Sequence, residues 1–78
     1  MSKIQYACQC KNKDNDITYE AECDTYEEAL NKVDYYRDLI KCNGEKSIHC
    51  CIEVIRFKVD DDDEYIDNSE EVLKTYCV

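Results

Sequence analysis

Two segments near the N-terminus alternate apolar and polar residues with a period of two. The apolar positions are Ile4, Tyr6, Cys8 and Cys10 in the first segment, and Ile17, Tyr19, Ala21 and Cys23 in the second. A period of two places alternate side chains on opposite faces of a β-strand. Residues 11–15 between the segments are polar, which is typical of a turn. The sequence therefore predicts an antiparallel hairpin with one buried face.

The next segment has the periodicity of a helix. Its apolar residues recur at three- and four-residue intervals: Tyr26, Ala29, Leu30, Val33, Tyr36 and Ile40. This spacing aligns them along one stripe of an α-helix. We expect Asp24 to cap the N-terminus, with Glu27 completing a capping box. Gly44 is expected to end the helix in a left-handed conformation.

The C-terminal half returns to a strand pattern. Residues 48–59 are rich in β-branched side chains, with Ile48, Cys50, Ile52 and Val54 on one face and Ile55, Phe57 and Val59 on the other. The change of face predicts a bulge or a sharp bend at residues 54–55. A short strand at residues 65–66 and a last strand at 72–78 follow. The order ββαβββ predicts a single α+β domain over residues 1–78, in which an antiparallel sheet packs against one helix in two layers.

The net charge limits the partners that such a domain can bind. The chain has 19 Asp and Glu against 10 Lys and Arg, a formal charge of −9. Nucleic acid and anionic lipid are disfavoured, whereas basic, nucleic-acid-binding proteins or ribonucleoprotein complexes are attracted. The sequence has no apolar run of the ~18 residues that cross a bilayer. It also has no segment typical of a secretory signal, so we expect the cytoplasm and no membrane partner.

The acidic residues and two tyrosines supply the candidate binding residues. Asp14, Asp16, Glu20, Glu22 and Asp24 occupy even positions, so a strand would place them on one face about 6.6–6.8 Å apart. The alternative is an ordinary polar face, partly neutralised by Lys3 and Lys11 on the paired strand. A run of acids at residues 60–64 is either a solvated loop or a flexible anionic finger. We predict partner contacts at Glu20, Glu22, Asp24, Tyr35, Asp60, Asp61, Asp62, Asp63, Glu64 and Tyr65.

Catalytic and metal-binding patterns are weak. His49 is the only histidine and Gly44 the only glycine, and no nucleophile motif is present, so we expect neither an enzyme nor a cofactor. A calcium loop beginning at Asp60 would place Tyr65 where the turn requires glycine. A zinc site would need ligands from Cys8, Cys10, His49, Cys50 and Cys51, which strand alternation separates. We expect no metal, reduced and mostly buried cysteines, and an exposed His49.

Together, the short single-domain chain, the ββαβββ order, the strong acidity and the absence of a catalytic motif resemble small phage-encoded anti-defence inhibitors, in particular anti-CRISPR proteins. The resemblance rests on architecture and composition, and no binding residue can be transferred from it. It implies a stoichiometric inhibitor that blocks a nucleic-acid-handling surface of a host defence complex. The alternatives are a metal-binding (calcium or zinc) module, or a small structural subunit that contacts a larger assembly around Ile55 and Phe57. We expect a monomer, or a homodimer formed through the last strand.

Overall fold

Four antiparallel strands and one helix make up the fold. The structure, a computed structural model, describes residues 2–78. The elements are β1 (Lys3–Lys11), β2 (Ile17–Cys23), α1 (Tyr26–Cys42), β3 (Cys51–Val59) and β4 (Glu71–Cys77). The sheet order is β2-β1-β3-β4, and α1 packs across β1, β2 and β3. The α+β prediction is confirmed. Within residues 2–78, no helix has both the length and the apolar character that a membrane span requires.

The short strand predicted at residues 65–66 is reduced to a single bridge. Tyr65 pairs with Val59 at this bridge. Turns flank it on both sides, with positive φ angles at Asp63 (61°) and Asn68 (63°). The few residues between these turns are too short for a hydrogen-bonded ladder, so the order is ββαββ with one additional bridge.

Strand β3 begins later than the sequence predicts. Residues 45–49 form a turn, in which Ile48 N–H and His49 N–H both donate to the Glu45 carbonyl oxygen (2.9 and 3.3 Å). This turn leaves Ile48 and Cys50 exposed, contrary to prediction. Within the strand, the apolar residues change face as predicted, but β3 itself has no bulge, because its pairing with β1 is continuous. The β3–β4 register shifts between residues 54 and 55, with the extra residue, Leu73, on β4.

The helix begins with a different capping residue from the one predicted. Thr25, not Asp24, is the N-cap, because its hydroxyl oxygen accepts the Glu28 N–H at 3.2 Å. Both residue types cap well, so the sequence did not separate the two. At the other end, Gly44 has φ 66°, as predicted. Gly44 N–H donates to Lys41 O and the following N–H to Ile40 O, the two hydrogen bonds of a Schellman motif.

The sheet has apolar clusters on both faces. The larger cluster lies under α1 and contains Cys8, Cys10, Cys23, Ala29, Val33, Tyr36, Ile40, Ile52 and Val54. A smaller cluster of Ala7, Ile55, Phe57 and Val59 lies on the opposite face. We call this second side, which α1 does not cover, the open face. Its apolar residues are nevertheless buried, so other parts of the chain must cover them.

The cysteines are less uniformly buried than predicted. All seven are free. Cys8, Cys10 and Cys23 are buried as expected, and Cys51 is partly buried. Cys42, Cys50 and Cys77 are exposed because each lies at or just outside the end of a helix or strand, where the alternation of buried positions stops.

The buried thiols predict a loss of stability at alkaline pH. Burial raises the pKa of Cys8 from 9.0 to about 12 and that of Cys10 to about 11. Above about pH 9 the unfolded chain releases thiol protons that the folded chain retains, so the free energy of unfolding falls as the pH rises from about 9 to about 12. We expect the urea midpoint to fall over this range and Cys8→Ala to make the fall shallower. Cys77→Ala is the control and should leave the slope unchanged; equal slopes in all three proteins would contradict the prediction.

Candidate partner-binding face

Strand pairing places two of the predicted carboxylates on the open face. Glu20 is opposite Gln9, and Glu22 is opposite Ala7, which belongs to the open-face cluster. Paired residues of antiparallel strands project from the same side of the sheet. Glu20 and Glu22 therefore lie on the side away from α1, as the even spacing predicts.

The row of acids does not continue to residues 14 and 16. The β1–β2 register shifts so that Lys11 pairs with Ile17, leaving Thr18 as an extra residue. This bulge turns Ile17 onto the open face, where it is half exposed, although the sequence pattern placed it in the core. Asp14 and Asp16 lie in the preceding turn, where both backbone N–H groups donate to Asn12 Oδ1 (2.9 and 3.0 Å).

The acidic run, for which the sequence left a solvated loop and a flexible anionic finger open, forms a hydrogen-bonded turn. One carboxylate oxygen of Asp60 accepts the N–H groups of Asp62 (2.9 Å) and Glu64 (3.0 Å). The backbone closes the same turn, with Asp63 N–H donating to Asp60 O and Asp60 N–H donating to Glu64 O. These bonds hold the run at the end of β3 and orient the residues that follow it.

Tyr65 covers the apolar part of the open face. Its ring centroid lies 5.9 Å from that of Phe57. Phe57 is only 7% exposed and Ile55 is fully buried, whereas Tyr65 remains 49% exposed. The surface around Ile55 and Phe57, which the structural-subunit alternative would use for a partner contact, is therefore already buried within the chain.

Two adjoining hollows flank Tyr65. The first, of about 320 Å³, has Ile55 and Phe57 at its base and Ile17 and Tyr65 at its sides. Its carboxylates are Glu20, Glu22 and Glu70, and Gln9 also lines it. The second hollow shares Glu22, Phe57 and Tyr65 with the first and adds Asp24, Asp63 and one cation, Lys3. We call the surface formed by Glu20, Glu22, Asp24, Asp63, Glu70 and Tyr65 the acidic face.

The acidic face unites residues that are distant in the sequence. Glu20, Glu22 and Asp24 come from β2 and its end, whereas Asp63 and Tyr65 come from the β3–β4 connection. Asp63 is the member of the acidic run that lines a hollow; Asp60, Asp61, Asp62 and Glu64 extend the negative charge beyond it. Sequence reasoning missed Glu70, whose position depends on how the connection returns across the sheet.

Tyr35 is not part of this surface. It lies on α1, edge-on to Tyr36 with 5.3 Å between ring centroids, and Lys32 Nζ is 5.1 Å from its ring centre. The helix covers the opposite side of the sheet, so one partner surface cannot contact Tyr35 and the acidic face without wrapping around the domain. The structure separates these two predicted contacts.

The two lysines expected to neutralise the β2 acids contact other carboxylates. Lys3 Nζ lies 3.3 Å from Asp63 Oδ1 in an exposed pair. Lys11 Nζ lies 2.8 Å from Glu53 Oε1 in a largely buried pair, and its hydrogen bond with Glu53 raises the pKa of Lys11. Exposed pairs such as the first contribute ~1 kcal/mol or less. Because Asp63 belongs to the acidic face, Lys3 offsets part of the charge of that face, whereas Lys11 lines neither hollow.

His49 is buried, not exposed as predicted. It is 6% accessible, and its ring stacks on Tyr19 with 5.0 Å between centroids. Its Nδ1 lies 2.7 Å from the Thr18 hydroxyl oxygen, and its Nε2 lies 3.4 Å from Glu45 Oε1. Tyr19 OH donates to the same Glu45 oxygen at 2.9 Å. This network connects the turn before β3 to the β2 bulge, and no local sequence pattern predicts it.

The groups considered as zinc ligands are divided between the two sides of the sheet. Cys8 and Cys10 belong to the core under α1, whereas Cys51 pairs with Lys11 on the open face. Among residues 2–78, no three His, Cys, Asp or Glu side chains are grouped in a way that could hold a metal ion.

Comparison with known proteins gives no relative. No protein family model, curated protein or solved structure matches the chain. The acidic face is thus the feature from which a function can be inferred.

The packing of Tyr65 on Phe57 predicts a measurable contribution to stability. An aromatic pair of this kind contributes about 0.5–1.5 kcal/mol beyond the area it buries. Tyr65→Ala should lower the free energy of unfolding by at least about 1 kcal/mol and increase binding of a hydrophobic dye, because Phe57 becomes accessible. Tyr65→Phe keeps the ring and is the matched control. Urea unfolding followed by circular dichroism measures both; an unchanged midpoint in Tyr65→Ala would show that the ring does not cover the cluster.

Proposed function

We propose that this protein is a small acidic interaction protein that binds a basic, nucleic-acid-handling surface of another protein or ribonucleoprotein complex and blocks it. The observation that best supports this function is the convergence of two acidic segments. Residues 20–24 and residues 63–70 meet on one side of the sheet, around the half-exposed Tyr65. Like charges brought together lower stability, so their shared position favours a role in binding.

The spacing of the carboxylates suits a surface that normally holds nucleic acid. Same-face residues on a strand, such as Glu20 and Glu22, are about 6.6–6.8 Å apart. Phosphates along one nucleic-acid strand follow each other at an axial rise of ~3.4 Å, so carboxylates at this spacing match every second phosphate that a lysine- and arginine-lined groove would hold. The net charge of −9 adds long-range attraction, which accelerates association at low ionic strength.

Tyr65 supplies apolar contact area, which the carboxylates do not. Its ring is held by Phe57, and about half of its surface is accessible beside Asp63 and Glu22. A pre-positioned tyrosine contributes contact area at low entropic cost and is common at the energetic centre of interfaces. A basic partner would thus meet an apolar centre surrounded by carboxylates.

Blocking follows from competition for one surface. A protein that occupies a basic groove excludes the DNA or RNA that the groove handles, without catalysis and in a fixed stoichiometry. The anti-CRISPR type of inhibitor, which acts on a host defence complex, is the specific form of this function that the architecture and acidity suggest.

Removing charge from the acidic face should weaken binding more than removing the same charge elsewhere. The test variant is Glu20→Gln with Glu22→Gln and Asp63→Asn. The matched control is Asp14→Asn with Asp34→Asn and Asp38→Asn, which removes three exposed carboxylates from the hairpin turn and α1. We expect the test variant to bind at least about tenfold more weakly, or about 1.4 kcal/mol, and the control to lose about threefold or less.

The partner for this measurement comes from affinity capture. The tagged protein is immobilised, nuclease-treated bacterial lysate is passed over it at moderate salt, and proteins released by rising salt are identified. Affinity is then measured with the captured complex, with and without the nucleic acid that the complex handles. Equal losses of affinity in both variants would show that the interaction depends only on net charge. Unchanged affinity of the test variant would show that the contact lies outside the acidic face.

A further inference from the structure

The first hollow has an acceptor that the fold leaves unused. Gln9 is only 4% exposed, and its Nε2 donates to Glu20 Oε2. This bond fixes the orientation of the amide. Gln9 Oε1 is buried and accepts no hydrogen bond from residues 2–78. A buried acceptor without a donor costs free energy, so this atom marks a position where a donor would be stabilising.

The surroundings of this acceptor are both apolar and anionic. Phe57 and Ile55 form the base of the hollow, and the accessible parts of Ile17 and Tyr65 form its sides. Glu20, which accepts a hydrogen bond from the Gln9 amide, and Glu70 supply carboxylates to the hollow. A ligand that fits must combine an aliphatic stem with a cationic group that donates several hydrogen bonds.

We propose that the first hollow accepts one arginine side chain of the basic partner. The methylene stem would pack on the exposed surfaces of Ile17 and Tyr65, and the guanidinium would donate to Glu20 and Glu70. The buried Gln9 Oε1 would become its third acceptor once Glu20 turns from the Gln9 amide toward the guanidinium. Arginine suits the hollow better than lysine because its planar group carries five donors and packs on aromatic rings. This inference rests on the proposed function and names the chemistry of its central contact.

The test uses the complete 15N-labelled chain and three short peptides. Acetyl-Gly-Arg-Gly-amide is titrated and followed by NMR, with the lysine and citrulline peptides of the same length as matched probes. We expect the arginine peptide to shift the Gln9 side-chain amide and the backbone amides of Ile17 and Tyr65. Its affinity should exceed that of the lysine peptide by about threefold or more, and citrulline, which lacks the charge, should produce no saturable shift.

Two variants separate the hollow from general attraction between opposite charges. Gln9→Leu removes the acceptor and should reduce the preference for arginine over lysine, while Glu70→Gln, an exposed substitution that leaves the core intact, should weaken binding of both peptides. Two results would overturn the inference. One is chemical-shift changes of equal size for the lysine and arginine peptides, spread over all acidic residues; the other is no saturable shift at any peptide concentration.

The peptide experiment is independent of the proposed function, because the peptides are tested without the captured partner. If the peptides have no effect but the partner still binds, only the arginine site is refuted. A peptide effect without any partner refutes only the proposed function.

A separate observation concerns two cysteines at the edge of the sheet. Cys51 on β3 is directly opposite Cys77 on β4, and both are free. Opposed residues of an antiparallel pair have Cβ atoms about 4.5–5.5 Å apart, whereas a disulfide needs about 3.5–4.5 Å. A small approach of the edge strand closes this difference. Cys50, next in sequence to Cys51, lies outside the strand.

From this register we infer that Cys51 and Cys77 form a reversible disulfide when glutathione disulfide is present. The exposed Cys77 thiolate attacks one sulfur of glutathione disulfide and releases one glutathione thiolate. The Cys51 thiolate then attacks the Cys77 sulfur of the mixed disulfide and releases the second. One glutathione disulfide is reduced to two glutathione thiols, and the two protein thiols are oxidised.

Intact mass spectrometry of the folded protein tests this inference. After equilibration with glutathione disulfide, we expect a species lighter by about 2 Da and free of glutathione at Cys77. Cys50→Ser should retain this species and Cys51→Ser should lose it. A Cys77 that remains bound to glutathione, or a crosslink that persists in Cys51→Ser, would overturn the inference.

Discussion

A four-stranded sheet has two faces, and this chain has one helix with which to cover them. The helix buries the side that carries Cys8, Cys10, Ile52 and Val54. The opposite side carries Ala7, Ile55, Phe57 and Val59, which cannot be left in water without loss of the hydrophobic stabilisation that a small domain depends on. The rest of the structure follows from how a 78-residue chain solves this problem.

The solution uses the β3–β4 connection and long polar side chains in place of a second helix. Tyr65 lies on Phe57, Gln9 is buried between strands, and the Lys11–Glu53 pair closes one end. Each of these groups has an apolar portion that covers the cluster and a polar portion directed to water or to a neighbour. The cover is consequently thin and polar, and it leaves hollows in which carboxylates from both segments meet. The same arrangement that completes the core therefore creates the acidic face.

Local patterns predicted most of the elements, and non-local contacts account for the errors. Alternation over residues 3–11 and the helical spacing from Tyr26 to Ile40 depend only on which side of one element is buried, so both predictions held. The bulge at Thr18 and the burial of His49 depend on each other across 31 residues, and neither has a signature of its own. Thr25 and Asp24 are both good N-cap residues, and which of them caps the helix depends on the residue at which β2 ends. The position of Tyr65 over Phe57 requires knowing that the connection folds back over the open face.

The proposed function depends on how firmly the charges are held. Glu20 and Glu22 project from a paired strand, and the turn at Asp63 is closed by the Asp60 carboxylate, which accepts the N–H groups of Asp62 and Glu64. A disordered acidic tail of equal charge would lose conformational freedom on binding, whereas carboxylates that already occupy their positions lose little. Repulsion among them lowers the stability of the folded domain in the absence of a partner, and the basic groove of the proposed partner would relieve it. Packing of the core stabilises the fold, and the fold holds the carboxylates in the positions that binding requires. An acidic protein with this role would therefore need a packed fold.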